Sequence, residues 1–262
     1  MHLNPSKCEW SWLDPLRTDP CPLNLDDVPE ASQVKLVPHS EIQMLGVPLG
    51  DDSLVADFVE RKLLGNLMTT DNRVIEFKGS QSASYLWRVS FSIVRAVHFM
   101  RTTPLAQWSE QAEKFDLMVR NAIEKILGFP MSDDTFAQAC LTPRLGGLGL
   151  RKVQEHADLA FAASWHESKR TSREEWTPPP NLSPVYKSQK EASFEFDQCM
   201  HEFLVDQAPN EREKQRLRRV AQPHACGYIT AVPSDEDGKD TLLRPRLFRT
   251  SVAYRLGVPV IN

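Results

Sequence analysis

The sequence predicts a mainly α-helical protein with a small β-hairpin near its N-terminus. Three observations carry that expectation. Prolines crowd the first fifty residues (Pro5, Pro15, Pro20, Pro22, Pro29, Pro38 and Pro48), and each removes a backbone donor and crowds the preceding turn, which excludes long helices there. From Ser53 onward, apolar residues recur at three- and four-residue steps, the period of a helix with one buried face. Within the proline-rich part, Val34–Val37 and Ile42–Leu45 are short apolar runs separated by Pro38-His39-Ser40, which reads as two strands and a turn.

The elements follow in order. Between Trp12 and Ala31 the chain reads as a polar, proline-rich loop. Leu54, Phe58, Leu63, Leu64 and Leu67 fit a helix for which Asp51 or Asp52 is the N-cap. Leu86, Val89, Ile93, Val97 and Met100 form the stripe of a second helix, from about Ser80 to Arg101. Trp108, Ala112, Phe115, Val119, Ala122 and Ile126 form that of a third, from about Pro104 to Leu127. Gly128 and Pro130 are its stop signal. Asp133-Asp134 opens a short helical stretch, and Ala157, Ala160, Phe161 and Trp165 mark another helix. The charged stretch from Glu167 to Ser183, with Pro178-Pro179-Pro180, reads as an exposed linker. Helices are expected over Ser188–Ala208, Asn210–Val220 and Arg244–Gly257, the last carrying Leu247, Phe248, Val252 and Leu256.

Composition bounds the function. At 262 residues, 41% of them hydrophobic and 25% charged, the chain can bury a core and is not of disordered composition. No run approaches 20 apolar residues and the first residues hold no signal-like apolar core, so an intracellular protein (cytoplasm or nucleus) without membrane contact is expected. Lys and Arg total 31 against 35 Asp and Glu, a net charge of -4, which argues against strong autonomous nucleic-acid binding. Five cysteines without a repeating spacing suggest reduced thiols rather than a disulfide framework.

Several patterns could carry chemistry. The pairs Asp26-Asp27, Asp51-Asp52 and Asp133-Asp134 invite a two-metal reading. Such a pair needs a strand tip and a third carboxylate, whereas these lie in a loop or before helices, where acidic residues complement the dipole. Leu145-Gly146-Gly147-Leu148-Gly149-Leu150 lacks the Gly-Lys-Ser/Thr ending of a phosphate loop and reads as a tight backbone turn. Cys199, His201, His224 and Cys226 are of zinc-ligand type, but their one-residue spacing is tighter than usual. Basic residues offer phosphate contacts: Arg88, Arg95 and Arg101 on the second helix, with Arg88 and Arg95 two turns apart, and Arg212, Lys214, Arg216, Arg218 and Arg219 further on. Glu211 and Glu213 interleave the second group, as on a solvated helix face.

The order of certain segments carries a resemblance. His2–Glu9 (HLNPSKCE), Ile42–Gly50 (IQMLGVPLG), Ser90-Phe91-Ser92-Ile93, Arg101-Thr102-Thr103-Pro104, Phe115-Asp116, Gln138–Pro143 (QACLTP), Gly146–Leu150 (GGLGL) and Arg255–Pro259 (RLGVP) stand in sequence. Together they resemble the end of the palm, the thumb and the region beyond in reverse transcriptases of non-LTR retrotransposons, most closely from residue 2 to about 165. The resemblance implies a palm remnant with a primer-gripping hairpin over residues 1–50, and a thumb-like helical bundle over 51–166. A linker at 167–187 and a C-terminal helical region over 188–262 follow.

The resemblance also implies that Met44, Leu45 and Gly46 lie near the primer terminus and that the second helix lies near the minor groove. Lys7 matches a lysine placed to protonate the leaving pyrophosphate. The family's catalytic aspartates, which hold Mg²⁺, belong upstream of the LNPSKCE segment, so no catalytic residue and no cofactor is expected within these residues. The expected function is weak binding of RNA–DNA or DNA duplex without polymerisation. Two other readings stand beside it: a host scaffold that binds a separate protein at the surface that once faced the palm, and a truncated relic without function.

Overall fold

The computed structural model describes residues 9–10, 35–36, 42–65, 67, 73–77, 79–172, 188–235 and 241–259. These form two compact units, Met1–Phe58 and Val59–Asn262. The described residues are mainly helical, with one small antiparallel hairpin, as the sequence predicts.

In the first unit, β1 (Glu9–Trp10) pairs in parallel with β2 (Lys35–Leu36). The hairpin joins β3 (Ile42–Met44) to β4 (Val47–Leu49), with Met44 opposite Val47 and Ile42 opposite Leu49. This corrects the strand pairing expected from the apolar runs. The run at 34–37 is not the partner of β3; its central residues pair with β1 instead, and Pro38-His39-Ser40 lies outside the described residues. The turn is Leu45-Gly46, with φ of 51° and 81°. Two consecutive left-handed residues match a turn twist to that of the flanking strands. Such a two-residue loop closes at small entropic cost, so it sets the register locally. Helix α1 (Asp52–Val59) begins at the acidic pair, and Val55 and Phe58 are buried.

The second unit begins with one π-helical stretch, Glu60–Leu64, which buries Leu63 and Leu64. The expected helix from Ser80 to Arg101 is broken. Helix α2 (Ser80–Leu86) passes into a π-helical segment (Trp87–Phe91), a 3₁₀ turn (Ile93–Arg95) and then α3 (Val97–Thr102). Ser92 is the break point. Its N–H donates to Trp87 O at 2.9 Å, and its buried hydroxyl donates to Arg88 O at 2.8 Å. A serine hydroxyl that bonds back four residues competes with the regular ladder, and the wide turn accommodates it.

Helix α4 (Ser109–Leu127) buries the expected stripe of Ala112, Phe115, Val119, Ala122 and Ile126, and ends on left-handed Gly128, φ 78°. Helices α5 (Asp133–Cys140), α7 (Gln189–Asp206) and α8 (Glu211–Val220) are capped by Ser132, Ser188 and Asn210, whose side-chain oxygens accept from Thr135, Glu191 and Glu213 backbone N–H groups. Each cap satisfies a donor that the first turn leaves unpaired. Helix α6 (Val153–Thr171) is the central element, packing on α3, α4 and α7. Residues Glu167–Thr171 of the expected linker are therefore helical, and 173–187 lie outside the described residues. After the short α9 (Gly227–Thr230), α10 (Pro245–Leu256) packs on α2, α5 and α8 and stops at left-handed Gly257, φ 71°. Pro at the first helical position and Gly just past the last are the expected asymmetry.

Candidate nucleic-acid interface

The hairpin turn holds three of the sequence-derived contact residues. Met44 is 58% and Leu45 91% exposed, and Gly46 is exposed beside them. Alternation explains only part of this. A type I′-like turn projects its first residue outward, and a leucine there gives up both burial and a preferred backbone conformation. Asn or Gly would hold the same turn without strain, so the leucine is not needed for the turn itself.

The three arginines have three different surroundings. Arg88 is half-buried along a small cavity lined by Tyr85, Ile123, Leu148 and Phe248. Its guanidinium lies 5.3 Å from the Tyr85 ring centre, and burial pushes its pKa below the usual value. Arg95 is exposed, donates from Nε to Ser90 O at 2.9 Å and covers the Phe91 ring at 5.1 Å. Arg101 is ion-paired with Glu167 of α6 at 2.9 Å. The break at Ser92 means that Arg88 and Arg95 no longer share a face of one regular helix. Of the three, Arg95 has the most solvent-facing head.

The glycine-rich segment is the tight turn that its sequence predicts, built for close approach. A Cβ on Gly147 would lie 2.0 Å from Leu141 O, and one on Gly146 2.7 Å from a Val220 methyl. Gly146 and Gly149 take φ of 91° and 79°. What holds this turn was not foreseen. Arg255, 2% exposed, donates from Nε to Gly147 O at 3.2 Å, from Nη1 to Ala225 O at 2.9 Å and from Nη2 to Pro143 O. Gln138 Nε2 donates to Gly146 O at 3.1 Å and to Arg255 O at 2.9 Å, while Arg216 Nη2 donates to Gln138 Oε1 at 2.9 Å. Burial pushes the Arg255 guanidinium below its usual pKa, and the carbonyl oxygens around it satisfy its donors. The QACLTP, GGLGL and RLGVP segments thus meet in one buried network. A signal existed: Arg255 falls three residues after Val252 and seven after Phe248, on the apolar face of α10.

A second buried polar cluster joins α4, α6 and α7. Asp116 is 8% exposed and accepts the first two N–H groups of α6, Val153 at 2.7 Å and Gln154 at 3.1 Å. Burial pushes its carboxyl up to about 7, against the lowering effect of those bonds. Asp197 accepts from Arg151 Nη2 at 2.8 Å and Nε at 3.2 Å; burial raises its pKa, and Arg151 opposes the rise. His156 Nε2 lies 3.6 Å from Asp197 Oδ1. Burial first, and the Arg151 charge second, push His156 down to about 3, so the imidazole is neutral near pH 7 and this contact is not an ion pair. Arg151 itself takes a left-handed φ of 35°. The nearby Cys140 thiol is buried and its pKa is raised by burial, so it offers no thiolate nucleophile. The cluster's role is to dock α4 and α7 on the start of α6.

The remaining candidates are dispersed. Asp52 opens α1. Asp133 opens α5 and pairs with Arg120 at 2.7 Å, so each acts at a helix start. Cys199 and His201 sit on α7, whereas His224 and Cys226 sit in the turn between α8 and α9. Among the described residues, no group of three or more His, Cys, Asp or Glu is placed to share a metal ion. No described helix is long and apolar enough to cross a membrane. Lys7 and the Asp26-Asp27 pair lie outside the described residues. Comparison of the chain with family models, with curated proteins and with solved structures finds no match.

Proposed function

We propose that this chain contacts nucleic-acid duplex weakly and salt-sensitively through the hairpin tip, as a reverse-transcriptase-like thumb region that does not itself polymerise. The observation that carries the reading is the exposed Met44-Leu45-Gly46 turn. An apolar side chain held outside in a left-handed conformation gains nothing for the isolated unit, and suits van der Waals contact with a sugar edge. The ordered segments quoted above support the same reading. Arg95 is the exposed cation available for phosphate on the broken helix. No cofactor is required for binding of this kind.

The test is fluorescence anisotropy with a labelled 20-base-pair RNA–DNA duplex and its DNA counterpart, at 50 and 200 mM salt. Affinity should fall steeply with salt, because each neutralised phosphate releases counterions. Leu45→Asn preserves the turn and should weaken binding about five-fold, on the order of 1 kcal/mol for one lost apolar contact. Equal binding by variant and parent removes the hairpin from the interface. Nucleotide incorporation with Mg²⁺ or Mn²⁺ that survives stringent purification overturns the non-polymerising part.

A second reading, a scaffold for a separate protein, rests on Leu86, Val89 and Val94, which are exposed at the end of α2 and along the interrupted segment after it. Duplex binding that is absent at low salt would favour it.

A further inference from the structure

Helices α8 and α10 are far apart in sequence, yet they bring six arginines to two adjoining grooves. The first groove, about 770 Å³, runs between α8 and the end of α10. Arg212, Arg216 and Arg219 line it, at positions i, i+4 and i+7 of one helix face, and Tyr254 and Pro259 face them. The second groove, also about 770 Å³, begins at the same Pro259 and is lined by Arg244, Arg246 and Arg249 with Phe129 and Leu247. Glu213 is the one acidic residue lining either groove, and it is bonded to Arg216 at 2.7 Å. Arg212, Arg219, Arg244, Arg246 and Arg249 enter no ion pair among the described residues, in a chain whose net charge is -4.

Two features make this more than a solvated helix face. Arg244 caps α10 and Arg246 lies in its first turn, which holds no acidic residue. Cations at a helix N-terminus oppose the macrodipole and persist at a cost that a bound anion would remove. Tyr254 is 63% exposed beside the α8 arginines. A large ring there forfeits burial, and it is placed as a platform for a flat apolar face.

We propose that the arginine-lined grooves meeting at Pro259 form a binding track for single-stranded nucleic acid, with the guanidinium groups on successive phosphates and Tyr254 stacking on a base. Seven helical residues separate Arg212 from Arg219, an axial span of about 10 Å. Placed on three successive phosphates, the three arginines divide that span into two steps of roughly 5 Å, longer than the roughly 3.4 Å per nucleotide of one strand in a stacked duplex. The planar guanidinium fork matches phosphate oxygens in pairs, and a continuous track fits a linear polyanion better than a free phosphate. A single strand fits better than a duplex because only an unstacked base can lie on the exposed ring. Arg216 is the fixed member, anchored to Gln138 and to Arg255 O. The site shares no residue with the hairpin tip, and it stands or falls apart from the duplex reading.

The test uses the full chain and a fluorescein-labelled 16-nucleotide oligothymidylate in anisotropy titrations from 50 to 200 mM salt. Arg219→Glu and Arg246→Glu should each weaken binding at least five-fold, and each should flatten the slope of log affinity against log salt by about 0.7. Lys190→Glu, the same charge change on exposed α7, should do neither. Tyr254→Leu should weaken binding about five-fold with an unchanged slope, and Tyr254→Trp should restore it. Urea midpoints close to the parent's show that the variants are folded; Arg216 is avoided because its bonds are structural. No measurable affinity in the parent at 50 mM salt overturns the proposal, as does arginine-variant affinity equal to that of Lys190→Glu. Competition by polyglutamate as strong as by unlabelled oligothymidylate also overturns it, in favour of an acidic protein. Leu45→Asn should leave single-strand binding unchanged while it weakens duplex binding, which distinguishes failure of one site from failure of the other.

Discussion

Replacing Asp116 by Asn should make the protein's stability depend on pH in a direction that identifies what governs the buried carboxyl. In the folded state its pKa is raised by burial from the ordinary 3.8 to about 7. A raised folded pKa contributes stability that is fully present below the unfolded value and is lost as pH rises through the folded one. His156 works the other way. Its pKa is depressed from 6.5 to about 3 by burial and then by Arg151, so its contribution is present above 6.5 and is lost as pH falls towards 3. Between about pH 4 and 6.5 the folded state holds one extra proton on Asp116 and one fewer on His156, and the two slopes cancel.

Each slope is about 1.4 kcal/mol per pH unit. Over the two units from pH 4.5 to 6.5, the stability of Asp116→Asn relative to the parent should therefore rise by about 2.7 kcal/mol. All other titrating groups drop out of that difference. Urea unfolding of both proteins at the two pH values and equal ionic strength measures it. Burial competes here with two backbone N–H bonds and the N-terminal dipole of α6. If those dominated, the folded pKa would lie below 3.8, and the relative stability of Asp116→Asn would stay flat across this window, falling with pH only below about pH 4. A difference that is flat or of negative sign refutes burial as the governing cause.

Other outcomes follow from the buried network. Arg255→Met leaves the carbonyls of Pro143, Gly147 and Ala225 without their donor, and should cost about 3 kcal/mol by urea unfolding. A loss below about 1 kcal/mol would contradict its role as the clamp of the glycine-rich turn. Gly147→Ala forces a methyl group onto Leu141 O and should abolish the cooperative transition or lower stability by more than about 4 kcal/mol, whereas Gly227→Ala, with no atom within 4 Å of the new carbon, should change it by less than about 1 kcal/mol. Ser132→Ala removes the acceptor for Thr135 N–H and should cost about 1 kcal/mol, with thermal melting as the check.

Helix α6 runs to Thr171 through residues that read as linker, but local chemistry alone determined α4, α5, α7, α8 and α10. Their boundaries follow from a 3.6-residue apolar period, from side-chain caps at Ser132, Ser188 and Asn210, and from glycine stops at Gly128 and Gly257. Each signal acts within a turn or two of the residue that carries it, so one sequence suffices to read it. The glycine-rich turn was legible for the same reason. Tertiary structure decided whatever depends on distant partners. The pairing of the strand at Lys35-Leu36 with Glu9-Trp10 joins residues that no local rule connects. The break at Ser92 appears within a continuous apolar period because a hydroxyl can take either solvent or the carbonyl four residues back, and burial removes the solvent. Arg88 and Arg95 look alike in sequence, yet one head is desolvated over Tyr85 and the other is exposed. Arg212 and Arg246 become neighbours of one track only because α10 packs on α8. Charge and burial are properties of the space around a side chain, and that space is filled by residues a hundred or more positions away.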